Sequence, residues 1–322
     1  MSQMFQGNRV IAHTGARYPI FQAPMTWIAR APLVAAVSAA GGMGLLESSS
    51  ADFAMTQREV AAIRAVTSAP FGVNLPVMFL KRNEAAEGQI LDWIIANGIK
   101  FVTTSAGDPK RYTRRLKDAG LVVYHAVPSL ELALKALDAG VDGLIVEGAE
   151  AAGIRNFEEV HSFVLLQAVR ERVSVPIVAA GGIVDGRGMA AAFALGAEGV
   201  AMGTRFVAST ESPVHPNYKA AIVNAPVTGT QMALRPPRAK HRVLHNERSR
   251  SADAASAGVY GEQHANVIAD LYIGGDAANI QGSAGETAGL IHEVKGVTDI
   301  IDATVNGFWR EIDRLAGLRL SR

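Results

Sequence analysis

Hydrophobic and polar positions along the first two-thirds of the chain alternate in blocks rather than residue by residue. Short apolar runs, "YPIFQA" (18–23), "MGLLE" (43–47), "FGVNL" (71–75), "KFVTTS" (100–105), "LVVYHA" (121–126), "GLIVEG" (143–148), "PIVAAG" (176–181) and "GVAMGT" (199–204), are separated by longer amphipathic stretches. Continuous apolar runs of this kind suit strands of a parallel sheet, because both faces of such a sheet are covered. The stretches between them have helical spacing, at 32–40, 56–65, 85–97, 109–119, 130–139, 158–170 and 187–195. Several end at a glycine suited to a C-terminal cap: Gly41, Gly98, Gly120, Gly140 and Gly196. Eight such steps predict an α/β fold, the (β/α)8 TIM barrel, whose chemistry sits on loops at the strand C-termini. The alternative is an open doubly wound sheet. That fold wants a glycine-rich fingerprint after the first strand, and "QAPMTWIAR" is not one.

After Phe206 the beat stops. Residues 208–296 read as a mostly helical insertion with the Ala- and Gly-rich composition of a mobile lid. Helical spacing returns at 297–317, where Ile300, Ile301, Val305, Phe308, Ile312 and Leu315 form one stripe, the final barrel helix. The expected organisation is a barrel of residues 1–207 plus 297–322 and an insertion or lid domain of 208–296.

Composition narrows the chemistry. With 322 residues, 49% of them hydrophobic, the chain can bury a large core. A net charge of +1 gives no reason to expect a nucleic-acid partner. The one basic cluster, "RPPRAKHRVLHNERSR" (235–250), is either a solvated or interdomain segment or a contact for an anionic ligand. The absence of cysteine excludes disulfides, thiolate nucleophiles and Cys-ligated metals, and no metal site is expected. No apolar run approaches the ~20 residues needed to span a bilayer, and no signal-peptide pattern opens the chain. These features predict a soluble cytoplasmic protein with a small-molecule substrate and no membrane partner; a homodimer is the assembly they allow.

The informative loops all follow strands. "AAGGIVDGRG" follows the seventh and "MGTRF" the eighth. Glycines there let backbone N–H groups converge on an anion, although glycine turns follow many strands for packing reasons alone. Taken together they form a barrel's usual phosphate cradle and favour a phosphate-bearing ligand. Asn74 interrupts an apolar strand and needs partners, either a ligand edge or a neighbouring loop. His125, near the end of the fifth strand, is either a satisfied core histidine or a catalytic one.

The segments "QAPM", "PFGVNL", "GVDGLIVEGAEAAG", "PIVAAGGIVDGRGMAAAFALGAEGVAMGTRF" and "ESPVH" together resemble the nitronate monooxygenase (2-nitropropane dioxygenase) family. That family includes FMN-dependent NADH:quinone reductases and is similar to FMN-dependent enoyl-ACP reductases. The resemblance covers residues 18 to about 216 and fades beyond. It implies FMN at the barrel mouth, with Gly181, Gly182, Gly203 and Thr204 on its phosphate and Ala180 beside them. It places Ala23, Pro24, Met25 and Asn74 by the isoalloxazine, and Ala152 and Gly153 along the flavin. Two departures matter: the family's acid/base histidine after the sixth strand is replaced by Ile154, followed by Arg155 and Asn156, and the lysine that some relatives place after the fifth-strand histidine is Ala126. Arg155 and Asn156 are candidates for holding an anionic or carbonyl group; equally, Asn156 caps the helix at 157–170 and Arg155 faces water. The implied activity is NAD(P)H-dependent reduction, or the reverse oxidation, of an enoyl thioester, enone or quinone. The alternatives are oxidation of alkyl nitronates by oxygen and a flavin-binding protein without catalysis. Should neither His125 nor Arg155 carry the chemistry, His215 in the insertion is the next candidate.

Overall fold

The structure, a computed structural model, describes residues 4–49, 52–155, 159–235, 239–246, 270–277 and 282–318. Eight parallel strands form its centre: β1 (Ile20–Gln22), β2 (Gly44–Glu47), β3 (Phe71–Pro76), β4 (Phe101–Ser105), β5 (Val122–Val127), β6 (Gly143–Glu147), β8 (Ile177–Ala180) and β9 (Gly199–Met202). They are hydrogen-bonded in the order β1-β9-β8-β6-β5-β4-β3-β2. The sheet closes between β1 and β2 through a parallel bridge at Phe21 and Met43, where Met43 N–H donates to Ile20 O at 2.8 Å and Gln22 N–H to Met43 O at 3.1 Å. Gln22 reinforces this closure. Its side chain is fully buried and its Oε1 accepts from Leu45 N–H at 3.3 Å. The expected (β/α)8 barrel is the fold.

All eight apolar runs become strands because each is buried on both sides. Inside the barrel lie Phe21, Met43, Leu45, Phe101, Tyr124, Ile145 and Val178. Outside, the strands pack on the helices: α2 (Ala31–Ala39), α3 (Phe53–Val66), α5 (Glu84–Ala96), α6 (Thr113–Asp118), α7 (Leu130–Asp138), α8 (Ser162–Arg170), α9 (Gly186–Ala194) and α12 (Val297–Gly317). The last helix has the predicted bounds, with Ile300, Ile301, Val305 and Phe308 buried. It lies against α9 so closely that a Cβ on Gly186 would come 2.1 Å from Phe308 N. A short helix that the sequence pattern did not announce, α1 (Arg9–Thr14), plugs the barrel floor: Val10 joins the interior cluster and His13 Nδ1 lies 3.0 Å from Tyr124 Oη.

Two expectations change. The helix expected at 158–170 begins only at Ser162, with His161 at its N-cap, so the capping role offered for Asn156 falls away. Ahead of it, the loop after β6 forms a short strand, β7 (Gly153–Arg155), which pairs with a hairpin from the inserted segment. That hairpin, β10 (Thr230–Arg235) and β11 (Ala239–Leu244), is antiparallel and completes a second, three-stranded sheet in the order β10-β11-β7. The described part of 208–296 therefore combines helix α11 (Pro216–Val223) and a 3-10 turn at Glu286–Leu290 with β structure, where a mostly helical segment was expected. Two short helices, α4 (Val77–Leu80) and α10 (Thr204–Val207), follow β3 and β9 directly.

Candidate functional site

Parallel strands all point their C-terminal ends one way, so the loops after them converge on one mouth. Here they surround a cavity of about 500 Å³, within the range of small-molecule and cofactor sites. Thirteen residues singled out in the sequence line it: Ala23, Pro24, Met25, Asn74, His125, Ala152, Gly153, Ile154, Ala180, Gly181, Gly182, Gly203 and Thr204. Arg155 is placed by its backbone, in β7 opposite Lys240. Asn156 lies outside the described residues. His215 caps α11, its Nδ1 accepting from Asn217 N–H at 3.1 Å, and is not part of the cavity wall.

One wall is backbone. Gly181 and Gly182 leave β8 at φ +88° and +75°, a region that disfavours any side chain. A Cβ on Gly181 would lie 3.1 Å from Gly148 O, and one on Gly203 would stand 3.6 Å from the Ala23 Cβ and the Met25 Sδ. The donors there are peptide N–H groups freed from side-chain cover, which is what a phosphate needs. Glu150 is nearby: its Oε1 would lie 3.4 Å from a Cβ on Gly182. Both its oxygens accept from Ser162 N–H at 3.0 Å and one from Ser162 Oγ at 2.7 Å, so it is bound to the start of α8. Thr204 closes the cradle by accepting from Gly285 N–H at 2.9 Å. The residues present fit a phosphate at this position.

The floor carries fixed polar groups. Asn74 Oδ1 accepts from Thr103 Oγ1 at 2.9 Å, and its amide nitrogen lies 3.3 Å from Ser105 Oγ. His125 is 4% exposed, and its Nδ1 is 2.7 Å from Thr104 Oγ1. Burial lowers its pKa to about 4, which keeps the ring neutral at physiological pH. Glu47 is 1% exposed and pairs with Arg30 at 2.6 Å while accepting from Trp27 N–H at 3.2 Å. Trp27 and Ala106 hold φ of +67° and +52°, two non-glycine residues in strained conformations beside the cavity.

The third wall comes from the inserted segment: His241, Tyr272, Ser283, Gly285 and Thr287. His241, on β11, is the register partner of Ile154 on β7. It is 4% exposed, and its Nε2 lies 2.6 Å from Ser283 Oγ. Its neighbour Arg242 donates to Ala149 O at 3.0 Å and pairs with Glu286 at 3.0 Å, tying the hairpin to the loop after β6. Reading the sequence for charge put His241 inside a basic cluster and passed over it. The signal available was local: two strand-like runs, Thr230–Arg235 and Ala239–Leu244, on either side of a proline pair in "RPPRA". No helix among the described residues is long and apolar enough to cross a membrane.

Comparison with known proteins agrees with this geometry. The family model described as nitronate monooxygenase matches residues 8–307. A Mycobacterium tuberculosis protein named (3aS,4S,5R,7aS)-5-hydroxy-7a-methyl-1-oxo-octahydro-1H-indene-4-carboxyl-CoA dehydrogenase is 37% identical over 241 residues, 72% of this chain. The chain spans 64% of that protein's length. A probable nitronate monooxygenase of Staphylococcus saprophyticus is 31% identical over 69% of this chain and 74% of its own. The structure of FabK from Thermotoga maritima, 36% identical, superposes with a TM-score of 0.87 over 97% of this chain and 99% of that one. With its barrel, its glycine cradle and a match running through nearly all of its length, the chain belongs to the nitronate monooxygenase family, whose named relatives here, monooxygenase and dehydrogenase alike, are oxidoreductases.

Proposed function

We propose that the protein is an FMN-dependent oxidoreductase acting on an activated carbon next to a thioester or ketone carbonyl, with NADH or NADPH as co-substrate. The observation that carries this is a glycine cradle, Gly181, Gly182 and Gly203, lining the same cavity as an apolar Ile154. The cradle suits the single phosphate of FMN. Bound FMN supplies hydride chemistry, and the protein supplies position and electrostatics. The backbone of 23–25 and the Asn74 amide border the space for the ring. Neutral His125 can offer a hydrogen bond there without adding charge. The Arg30–Glu47 pair fixes the loop after β1, so the floor is set before any ligand arrives.

The thioester preference is supported by the relative named a CoA dehydrogenase, at 37% identity against 31% for the relative named a nitronate monooxygenase. Nitronate oxidation stays as the second reading, because an already anionic nitronate needs no base and Ile154 does not forbid it. The segment 208–296 supplies the third wall of the cavity, and on this reading it selects the substrate and covers the mouth. Faster proteolysis of this segment without a substrate analogue than with one is expected; equal rates contradict the covering role.

Anaerobic titration of the purified flavoprotein tests the assignment. NADH or NADPH should bleach the flavin, and an enoyl-CoA, an enone or a quinone should restore its colour. Restoration only by oxygen with propionate 3-nitronate would give the second reading. A flavin that neither nucleotide nor any acceptor changes would mark a binding protein without catalysis and end the proposal.

A further inference from the structure

Three acid/base side chains on the cavity wall are committed elsewhere. Glu150 is held by Ser162, Glu47 by Arg30, and His125 sits neutral against Thr104. The third wall is different. Ile154 and His241 are directly opposite in an antiparallel pair, so their side chains leave the same face of that small sheet, and both line the cavity. Behind the cavity surface, His241 Nε2 meets Ser283 Oγ at 2.6 Å, and Ser283 also lines the cavity.

The Ser283 backbone is pinned from both sides. Tyr218 Oη donates to Ser283 O at 2.7 Å, and Ser283 N–H points to Tyr272 Oη at 3.4 Å. The two phenol rings pack with centroids 5.0 Å apart. Gly282 passes so close to Tyr218 that a Cβ there would meet the ring at 2.0 Å. Leu244 N–H donates to Gly282 O at 2.8 Å, which registers the Ser283 strand of chain on β11 itself. A hydroxyl held this firmly against a buried imidazole, on the wall of a ligand cavity, is a preorganised proton relay.

We propose that Ser283 and His241 form the proton-exchange pair of this cavity, acting on the carbon α to a bound thioester carbonyl. The proposal rests on the reading of the cavity as the site of an oxidoreductase for such substrates. In the step itself the α C–H bond breaks and its electron pair moves onto the carbonyl oxygen as an enolate. The proton goes to Ser283 Oγ as the hydroxyl proton passes to His241 Nε2; the reverse returns a proton to carbon. No oxidant or reductant is consumed. The imidazole thus reaches the site from β11, 87 residues along the chain from the apolar Ile154.

Exchange of substrate hydrogen with solvent reads this step without turnover. Phenylacetyl-CoA has acidic α-hydrogens and no hydrogen on its β-carbon, so no hydride can leave. In D2O the wild-type protein should wash deuterium into the α-position, followed by NMR. His241→Gln and Ser283→Ala should each slow exchange by roughly 10²–10⁴-fold. The double variant should be no slower than either single one, because the two groups act as a unit. Ser283→Thr, which restores a hydroxyl, should recover most of the rate. His215→Gln, on α11 away from the cavity, should match wild type. Ser283→Ala removes one oxygen and is the decisive variant should His241→Gln disturb the hairpin. A wild-type rate no faster than buffer overturns the pair, and so does a loss under tenfold in Ser283→Ala. Failure of the parent reading looks different: a protein purified without flavin refutes the oxidoreductase assignment, while the exchange assay, which moves no electrons, still reports on Ser283 and His241.

Discussion

The cradle wall and the wall that carries Ile154, His241 and Ser283 are built in contrasting ways. The cradle is short-range: Ala180 ends one strand with Gly181 and Gly182 just after it, Gly203 and Thr204 follow the next, and the two strands are neighbours in the sheet. Its function needs only backbone N–H groups and space. The other wall joins Ile154, His241 and Ser283, brought together by a three-stranded sheet and two tyrosines. The first wall is set by which residues are absent at Cβ, the second by which side chains meet across long loops. On the proposed reading the first wall holds the cofactor and the second meets the substrate, with Ile154 where a histidine was expected.

The largest expected effect breaks the cradle. Gly203→Asp places a carboxylate in the proposed phosphate cradle, beside Ala23 and Met25. Purified variant protein should carry almost no flavin, read from the ratio of visible to ultraviolet absorbance. Full flavin content in this variant would show that the phosphate lies elsewhere.

Next is the substrate wall. Ile154→His adds an imidazole to the cavity wall. Turnover of neutral nitroalkanes, which must lose an α-proton, should rise by about 10²–10⁴-fold over the parent protein. No gain, with flavin retained, would mean that Ile154 does not occupy the reactive position.

A stability effect separates the floor from both walls. His125 has its pKa lowered to about 4 by burial, against about 6.5 in an unfolded chain. Between these values the unfolded chain binds the extra proton and the folded one does not, so stability falls as pH drops from about 6.5 to 4. Above about 6.5 the contribution is fully present. The swing is on the order of 3 kcal/mol. Denaturant unfolding across this window should show it, and His125→Gln should flatten that part of the profile. An unchanged profile would mean that His125 titrates normally.

The smallest effect tests the seam between the walls. Gly285 donates to Thr204 and a Cβ there would come 2.7 Å from Glu150 O. Gly285→Ala should cost about 1–3 kcal/mol of stability and loosen the cradle, weakening flavin affinity without abolishing it. An alanine variant as stable as the parent would show that the seam adapts.

The contrast also explains what the sequence made legible. All eight barrel strands, the last helix and the cradle glycines could be read because each is a local pattern: an apolar run, a 3.6-residue stripe or a glycine pair after a strand. The β7–β11 pairing could not be, since Gly153–Arg155 looks like a loop until a partner from 239–244 arrives. Helix α1 was missed for a related reason. Arg9–Thr14 carries no marked stripe, and only the barrel floor gives Val10 something to pack on. Gln22 was passed over as a link in "QAPM", yet it spans the β1–β2 closure. His241 was hidden by its neighbours, because a basic cluster reads as charge while burial in a cavity wall depends on tertiary contact.

The central claim is that the glycine cradle holds FMN. It is tested most directly by mass spectrometry of the cofactor released by heat from the purified full chain. Released FMN, near one per chain, is the predicted result. Released FAD, or a chain prepared with excess FMN that retains none, would contradict the account.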